Sequence, residues 1–299
     1  PSFLTLGVDT MQTAPTAPAS KIAGYRLSPQ QQRLWRLQLR RPPFRAMLQL
    51  RSPQPYAADQ LQAALQQLID RHEILRTTFP TLPGMTMPLQ VIADKLSSES
   101  VLVQYDSVSA EALDSCVQDL LKQPFDWVQG PLFQVHWIRP DELLFTVPVL
   151  CADGASLSLL AQEFQQFYQD SPPLEEPLQY ADLAEWQIEL LEGDDTAAGR
   201  SYWRRSSNLE QVVQRLPLER SADSAESDTF QFETHSWALP VEQAHALHGW
   251  ATQQGVTADE VCLAVWQILI ARLTEQSTLT LGYSCAARQH NEELQTACG

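Results

Sequence analysis

Residues 146–154, Thr-Val-Pro-Val-Leu-Cys-Ala-Asp-Gly, mark the point where a strand pattern gives way to a helical one. The apolar run ends in an Asp-Gly pair, and regularly spaced apolar residues follow over 155–168. A turn of this kind can hold a catalytic base at the end of a strand. Here the run contains Pro148 and Val149, which can neither take up nor release a proton.

Helical and strand patterns alternate on both sides of this turn. Residues 57–71 and 156–169 have apolar side chains at helical spacing, while 131–139 and 143–151 predict a paired strand–turn–strand. Because the two patterns mix throughout, we predict an α/β or α+β fold in two lobes. The other predicted elements are a helix opening at Ser28, helices at 110–123, 180–191, 196–205, 240–254 and 257–273, and strands at 47–50, 74–79, 89–92, 101–105, 230–237 and 277–284.

Three segments of distinctive composition divide the chain. Residues 1–22 are rich in Thr, Ala and Pro and predict a linker. A Pro- and Glu-rich stretch around 172–177 predicts a boundary between an N-terminal lobe, 23–172, and a C-terminal lobe, 173–299. The polar residues 221–228 predict a surface loop.

Composition excludes several classes of protein. The formal charge of −16 argues against a nucleic-acid partner, which needs a surface of clustered Lys and Arg. No apolar run approaches the roughly 18 residues of a membrane span, so no membrane partner is expected. Five scattered cysteines, with no CxxC pair and no signal peptide, predict reduced thiols and a cytoplasmic location. Cys151 and Cys262 lie in apolar runs and are predicted to be core residues, and the helix at 257–273 is predicted to be buried.

Several motifs resemble, in order and spacing, the condensation domains of nonribosomal peptide synthetases. Residues 71–79, RHEILRTTF, resemble the second motif of that family almost letter for letter. The other matching segments are 28–35 (SPQQQRLW), 130–133 (GPLF), 180–187 (YADLAEWQ), 202–203 (YW), 256–257 (VT), 264–266 (AVW) and 282–288 (GYSCAAR). The ordered series extends from about residue 24 to the last residue and predicts membership of this family.

The resemblance implies a fold of two lobes in a V, each similar to chloramphenicol acetyltransferase. It also implies that the second lobe is incomplete in this chain. A tunnel between the lobes would admit two carrier proteins, whose phosphopantetheine arms meet at a His-His-x-x-x-Asp-Gly motif. In the family the second His positions or deprotonates the attacking amine, and the Asp holds an Arg.

The family motif is degenerate in this sequence. Aligning on Asp153 and Gly154 places Pro148 and Val149 at the two histidine positions. General-base chemistry needs a group whose pKa lies near the working pH, most often His. Neither Pro nor Val qualifies, so we predict no catalytic residue and no directly bound cofactor or metal at this motif.

Asp153 is interpreted as a structural residue. A buried carboxylate requires a partner because its desolvation is costly. The sequence therefore predicts an ion pair between Asp153 and Arg71 or Arg76, both in the second motif. On this basis Asp153→Ala is expected to lower solubility or thermal stability.

His136 is the nearest histidine that could substitute as a base. It lies on the strand before the turn, and no His occurs between it and His235. We interpret it as a core or surface residue, with a role as substitute base as the alternative. His72 belongs to the second motif, where the resemblance implies packing, and nothing nominates the histidines of the second lobe.

Two functions follow from the resemblance. The first is a non-catalytic docking platform, similar to the interface domains that recruit an iron- and 2-oxoglutarate-dependent hydroxylase or to the X domains that recruit cytochrome P450 enzymes. Its partners would be peptidyl carrier proteins, an adjacent adenylation domain and a tailoring oxygenase. The alternative is an active but atypical condensation domain that forms an amide or ester by orienting two tethered substrates. In that case the Gly154 amide and the helix N-terminus would bind an oxyanion.

Overall fold

The computed structural model describes residues 24–38, 44–105, 110–206, 216–217, 236–283, 294 and 296–299. The predicted linker 1–22, the loop 221–228 and most of the strand at 230–237 lie outside the described residues. The mixed helix and strand content confirms the predicted α/β class.

Apart from the short helix at Ser98–Val101, which the sequence did not predict, the helices agree closely with those predicted from apolar spacing. They are α1 (Pro29–Gln38), α2 (Ala58–Arg71), α3 (Ser98–Val101), α4 (Ala110–Lys122), α5 (Gly154–Tyr168), α6 (Tyr180–Glu192), α7 (Ala197–Ser206), α8 (Val241–Gln254) and α9 (Ala258–Thr274). The helix predicted to open at Ser28 does so, and the Ser28 hydroxyl caps it by accepting a hydrogen bond from the Gln31 amide at 3.2 Å. A capping box of Thr257 and Glu260 opens α9.

The strands are β1 (Arg45–Arg51), β2 (Thr77–Thr78), β3 (Val91–Ile92), β4 (Leu102–Gln104), β5 (Gln134–Arg139) and β6 (Glu142–Pro148). Two predicted strands differ from the structure. Most of the strand expected at 74–79 is a 3₁₀ turn over Glu73–Arg76, which the Thr77 hydroxyl closes by donating to the Glu73 carbonyl at 2.7 Å. Residues 277–283 form no strand within the described part of the chain.

The main sheet has the order β1-β6-β5-β4. Strand β6 pairs antiparallel with both β1 and β5, and β4 joins the edge of β5 in parallel. Arg45 lies opposite Pro148 in this register, so the start of β1 adjoins the turn that follows β6. Every residue of β6 is buried, as expected for a central strand covered on both faces.

The two faces of the sheet carry different layers. Alternate β6 residues, including Phe145 and Val147, join the main core with the apolar stripes of α2 and α5. Phe145 packs edge-to-face on Phe164 of α5 at 5.4 Å between ring centroids. On the opposite face, Leu144 packs with Leu120 of α4 in a smaller cluster. Burying each such side chain contributes about 1.5–3 kcal/mol relative to leaving it in water.

The main core extends beyond the predicted boundary at residue 172. Tyr180 and Leu183 of α6 belong to the same buried cluster as the sheet, as does Cys298. Outside the core, Arg26 bonds Glu185 of α6 through its side chain at 2.8 Å. Helix α6 therefore packs on the N-terminal lobe, while the lobe boundary itself stays a prediction.

Helix α9 is exposed, contrary to its predicted burial. It packs against α8, and yet Val265, Trp266 and Ile268 each remain more than half exposed. Cys262 on the same helix is exposed, so its predicted core position is wrong, whereas the prediction for Cys151 is confirmed. Apolar spacing identified the helix, but burial depends on what packs against it in the fold.

Candidate functional site: the turn between β6 and α5

Backbone hydrogen bonds hold the turn between β6 and α5. The Val149 amide donates to the Phe44 carbonyl at 2.9 Å, and the Cys151 amide donates to the Pro148 carbonyl at 2.8 Å. Pro148 is buried and Val149 half-buried. Of these two side chains only Val149 reaches the surface, and neither Pro148 nor Val149 can transfer a proton.

Asp153 caps helix α5. Its Oδ1 accepts hydrogen bonds from the Ser156 amide and the Ser156 hydroxyl, both at 2.8 Å. This satisfies one of the amides that every helix leaves unpaired in its first turn. Asp153 is exposed rather than buried, so its carboxylate keeps contact with water.

The ion pair predicted between Asp153 and Arg71 or Arg76 is wrong in this structure. Arg71 pairs with Glu163 of α5 at 3.2 Å, and Arg76 pairs with Glu73 at 3.4 Å. The prediction assumed a buried Asp153, whereas an exposed carboxylate that caps a helix does not need a buried cation to offset desolvation.

Arg71, His72 and Glu163 form a cluster that is here called the α2–α5 junction. One Glu163 oxygen lies 3.2 Å from Arg71 Nε and 2.5 Å from His72 Nε2. Burial by itself would raise the pKa of Glu163, but the hydrogen bonds and charges of His72 and Arg71 outweigh burial and hold that pKa below its usual value. The junction ties α2 to the helix that follows the turn.

His136 is buried in β5 and cannot serve as an exposed base. Its Nδ1 lies 3.2 Å from the Tyr105 hydroxyl, and its Nε2 lies 3.2 Å from the Thr146 hydroxyl. Burial, and then the charge of Arg45, lower the pKa of His136 to about 4, so the imidazole is neutral near pH 7. Its interpretation as a core histidine is confirmed.

Sequence reasoning missed Arg45, which the structure places beside the turn. The guanidinium lies over the Phe125 ring, 3.8 Å from its centroid. It donates to the Thr146 hydroxyl at 3.3 Å and to the Gln123 carbonyl at 2.9 Å. Burial lowers the pKa of Arg45 to about 10. Arg45, Thr146 and His136 form a second polar cluster, here called the sheet rim.

The last residues of the chain also reach this turn, which no local pattern predicted. The Gly299 amide donates to the Ser156 hydroxyl at 3.2 Å, although the two residues are 143 positions apart. Cys151 and Cys298 are both buried in the same core. Burial, with a smaller contribution from Cys298, raises the pKa of the Cys151 thiol, so this thiol stays protonated and unreactive near neutral pH.

Among the described residues, no helix combines the length and apolar character that crossing a bilayer requires. The same part of the chain contains no group of three or more His, Cys, Asp or Glu side chains arranged to hold a metal ion.

Comparison with known proteins identifies the family. The family model described as "Condensation domain" matches residues 21–299. The chain belongs to the condensation domain family. This confirms the resemblance predicted from the motifs.

Curated relatives of this condensation-family chain are peptide synthetases. It is 30% identical over 243 residues to tyrocidine synthase 3 of Brevibacillus parabrevis, covering 78% of the chain and 4% of that protein. It is 32% identical over 286 residues to the phosphinothricin tripeptide synthetase PhsC of Streptomyces viridochromogenes, covering 89% of the chain and 26% of that protein. The chain thus spans a small part of each of these synthetases.

Solved structures show the same fold. The X-domain from teicoplanin biosynthesis matches with a TM-score of 0.66 and 23% identity, over 96% of this chain and 64% of that one. The condensation domain from the monacolin K polyketide synthase MokA matches with a TM-score of 0.67 and 24% identity, over 85% of this chain and 61% of that one. The X-domain has also been solved in complex with OxyB, and that structure matches with a TM-score of 0.65 and 22% identity, over 96% of this chain and 64% of that one.

Proposed function

We propose that this condensation-family chain acts in a nonribosomal peptide synthetase as a docking platform and does not itself join acyl groups. It would bind a carrier protein, with the phosphopantetheine arm supplied by that carrier, and a tailoring oxygenase such as an iron- and 2-oxoglutarate-dependent hydroxylase. The observation that carries the proposal is that Pro148 and Val149 lie at the turn after β6, where alignment on Asp153 and Gly154 predicts the two histidines of the family.

The surroundings of the turn support the loss of general-base chemistry. A base must come within hydrogen-bond reach of the proton that it removes, and its pKa must lie near the working pH. His136 fails both conditions, because it is buried and its pKa is lowered to about 4. Asp153 is engaged in capping α5.

Two comparisons support a docking role. The curated relatives are synthetases, so the chain is expected to work beside carrier and adenylation domains. The teicoplanin X-domain, which has the same fold, forms a complex with OxyB. A domain of this fold can therefore receive a partner protein, and we extend that role to the present chain.

The test uses the synthetase module that contains this chain. Donor and acceptor carriers are loaded with acyl groups, and condensation is followed by intact-protein mass spectrometry. We expect the same product yield from the module with the chain and from the module lacking it. A product that depends on the chain would overturn the proposal.

Docking is measured separately, by titrating the purified chain with a purified hydroxylase encoded beside the synthetase, with and without the loaded carrier. Saturable binding that needs this chain is the expected result. A double variant, Pro148→His with Val149→His, serves as the matched control: docking should be unchanged, because the proposal places binding away from these two side chains. Absence of binding to both hydroxylase and carrier would contradict the docking role.

An atypical condensing activity is the second candidate, favoured by the N-terminus of α5. Gly154 and Ala155 are exposed there, and the first amides of a helix can stabilise a developing oxyanion. Proximity of two tethered substrates can supply several kcal/mol of the barrier without a base. Condensation that persists with this chain and disappears on its deletion would select this candidate.

A further inference from the structure

Arg45 is a half-buried cation that has no carboxylate partner in the part of the chain that the structure describes. Among the described residues, Arg26, Arg51, Arg71, Arg76 and Arg139 each form an ion pair. No ion pair between described residues involves Arg45, although the chain carries a formal charge of −16. Burial lowers the pKa of its guanidinium.

The guanidinium also keeps unused hydrogen-bond donors. An arginine side chain has five N–H groups in a planar fork. Arg45 uses one N–H on Nη1, to Thr146, and one on Nη2, to the Gln123 carbonyl. Its Nε is buried and has no hydrogen-bond partner among the described residues. Nη1 and Nη2 therefore each keep one N–H for which the described part of the chain supplies no acceptor, and an oxyanion can accept hydrogen bonds from a guanidinium.

Neutral contacts offset only part of the cost of burying this charge. The Phe125 ring lies 3.8 Å from the guanidinium carbon, and a cation–π contact of this kind is worth about 0.5–2 kcal/mol. Thr146 and Gln123 provide dipoles rather than charges. A cation also raises the electrostatic potential around it, and after burial the charge of Arg45 is the second cause of the lowered pKa of His136.

The position of Arg45 connects it to the turn. It faces Pro148 across the β1–β6 pair, and its side chain bonds Thr146, two residues earlier on β6. A ligand held by this guanidinium would lie beside the segment that carries the degenerate motif.

We propose that Arg45 anchors a binding site for an oxyanion, either a carboxylate or a phosphate, beside the turn between β6 and α5. The anion accepts hydrogen bonds from the free N–H groups of Nη1 and Nη2 and neutralises the guanidinium. Two sources supply this chemistry: the carboxylate of an acyl group brought to the turn, and the phosphate of a pantetheine arm. The site does not depend on the docking role, since an anion can bind whether or not a partner protein does.

The test titrates the protein with glutarate, with methyl phosphate and with the neutral analogue glutaramide, each at matched ionic strength because screening alters exposed charges. NMR detects the Arg45 guanidinium N–H signals and the imidazole of His136. We expect at least one anion to shift the Arg45 signals saturably. The same anion should raise the pKa of His136, since a bound negative charge offsets the charge of Arg45. Glutaramide should do neither.

The variants Arg45→Gln and Arg45→Lys distinguish the contribution of the forked guanidinium from that of its positive charge. Arg45→Gln should weaken anion binding roughly tenfold, as expected for losing hydrogen bonds from a charged group. Arg45→Lys keeps the charge without the fork and should bind with intermediate strength. Arg51→Gln, at the opposite end of β1, is the matched control and should bind as the unaltered protein does.

Binding of glutarate but not methyl phosphate assigns the site to an acyl carboxylate, and the reverse assigns it to the pantetheine phosphate. Equal binding of both supports a general oxyanion site. If neither anion shifts the Arg45 signals in the unaltered protein, or if Arg45→Gln binds as well as the unaltered protein, the proposal is overturned.

Discussion

The α2–α5 junction and the sheet rim lie on opposite faces of one sheet. Each cluster contains a half-buried arginine, and the two arginines have different surroundings. At the junction, Arg71 lies against Glu163, which also bonds His72. At the rim, Arg45 lies over an aromatic ring and near a neutral imidazole, and no described carboxylate forms an ion pair with it. A paired cluster holds helices together, whereas an unpaired cation leaves its charge available to a ligand.

The largest effect is expected at the junction. Glu163→Ala leaves Arg71 and His72 buried without their acceptor, and removing one partner of a buried pair typically costs about 3–5 kcal/mol. Urea denaturation of the purified protein measures the loss of free energy of unfolding. Glu192→Ala, which breaks an exposed pair with Arg26, should change stability little and serves as the control. A loss of under 1 kcal/mol for Glu163→Ala would show that the junction does not hold α2 and α5 together.

Acid should weaken the fold through both clusters. Burial and Arg45 lower the pKa of His136 from 6.5 to about 4, so the unfolded chain binds more protons than the folded one between these values. Stability therefore falls as pH drops from about 7 to about 4, by roughly 3 kcal/mol for this group alone. Glu163 adds to the loss, because its pKa is lowered in the fold and its stabilisation disappears as the carboxylate takes up a proton.

The variant His136→Gln isolates the rim's share of this acid sensitivity. Glutamine does not titrate, so the variant should lose less stability than the unaltered protein between pH 7 and pH 4. Urea midpoints at three pH values provide the measurement. Parallel pH profiles for the two proteins would mean that His136 already takes up its proton in the folded state.

Removing the cap at the turn should have a moderate effect. Asp153→Ala deletes the acceptor for the Ser156 amide, and loss of an N-cap costs about 1 kcal/mol. Asp153→Asn keeps a capping oxygen and should restore most of the stability, as measured by thermal unfolding. The opposing result is a loss of 3 kcal/mol or more of stability in Asp153→Ala, with an equal loss in Asp153→Asn. That result would mean that the carboxylate charge is needed as well as the cap.

The smallest effect on stability is expected at Arg45. Arg45→Met removes a cation that pairs with no carboxylate in the described ranges and fills much of the same volume, so stability should change by less than about 1 kcal/mol. The pKa of His136 should rise, because the nearby positive charge is gone. An NMR titration of the imidazole measures this rise. A large loss of stability would show that Arg45 supports the fold in the way that Arg71 does.

Much of the local structure could be predicted from the sequence. The helix expected at 57–71 is α2 at Ala58–Arg71, and the strand-to-helix turn occurs where the Asp-Gly pair predicts it. These elements follow from apolar spacing and capping residues within about 15 positions, which single-sequence reasoning can use. The partner of Arg71 could not be found this way, because Glu163 lies 92 positions further along the chain.

What the sequence alone determined is the chemistry of the turn. Pro148 and Val149 cannot transfer a proton in any fold, because that property belongs to the side chains themselves. The tertiary structure decided which charges meet: strand pairing brought Arg45 beside the turn, and helix packing brought Glu163 to Arg71. Burial then lowered the pKa of His136, because a protonated imidazole is destabilised when it is taken out of water. The positive charge of Arg45 lowers that pKa further.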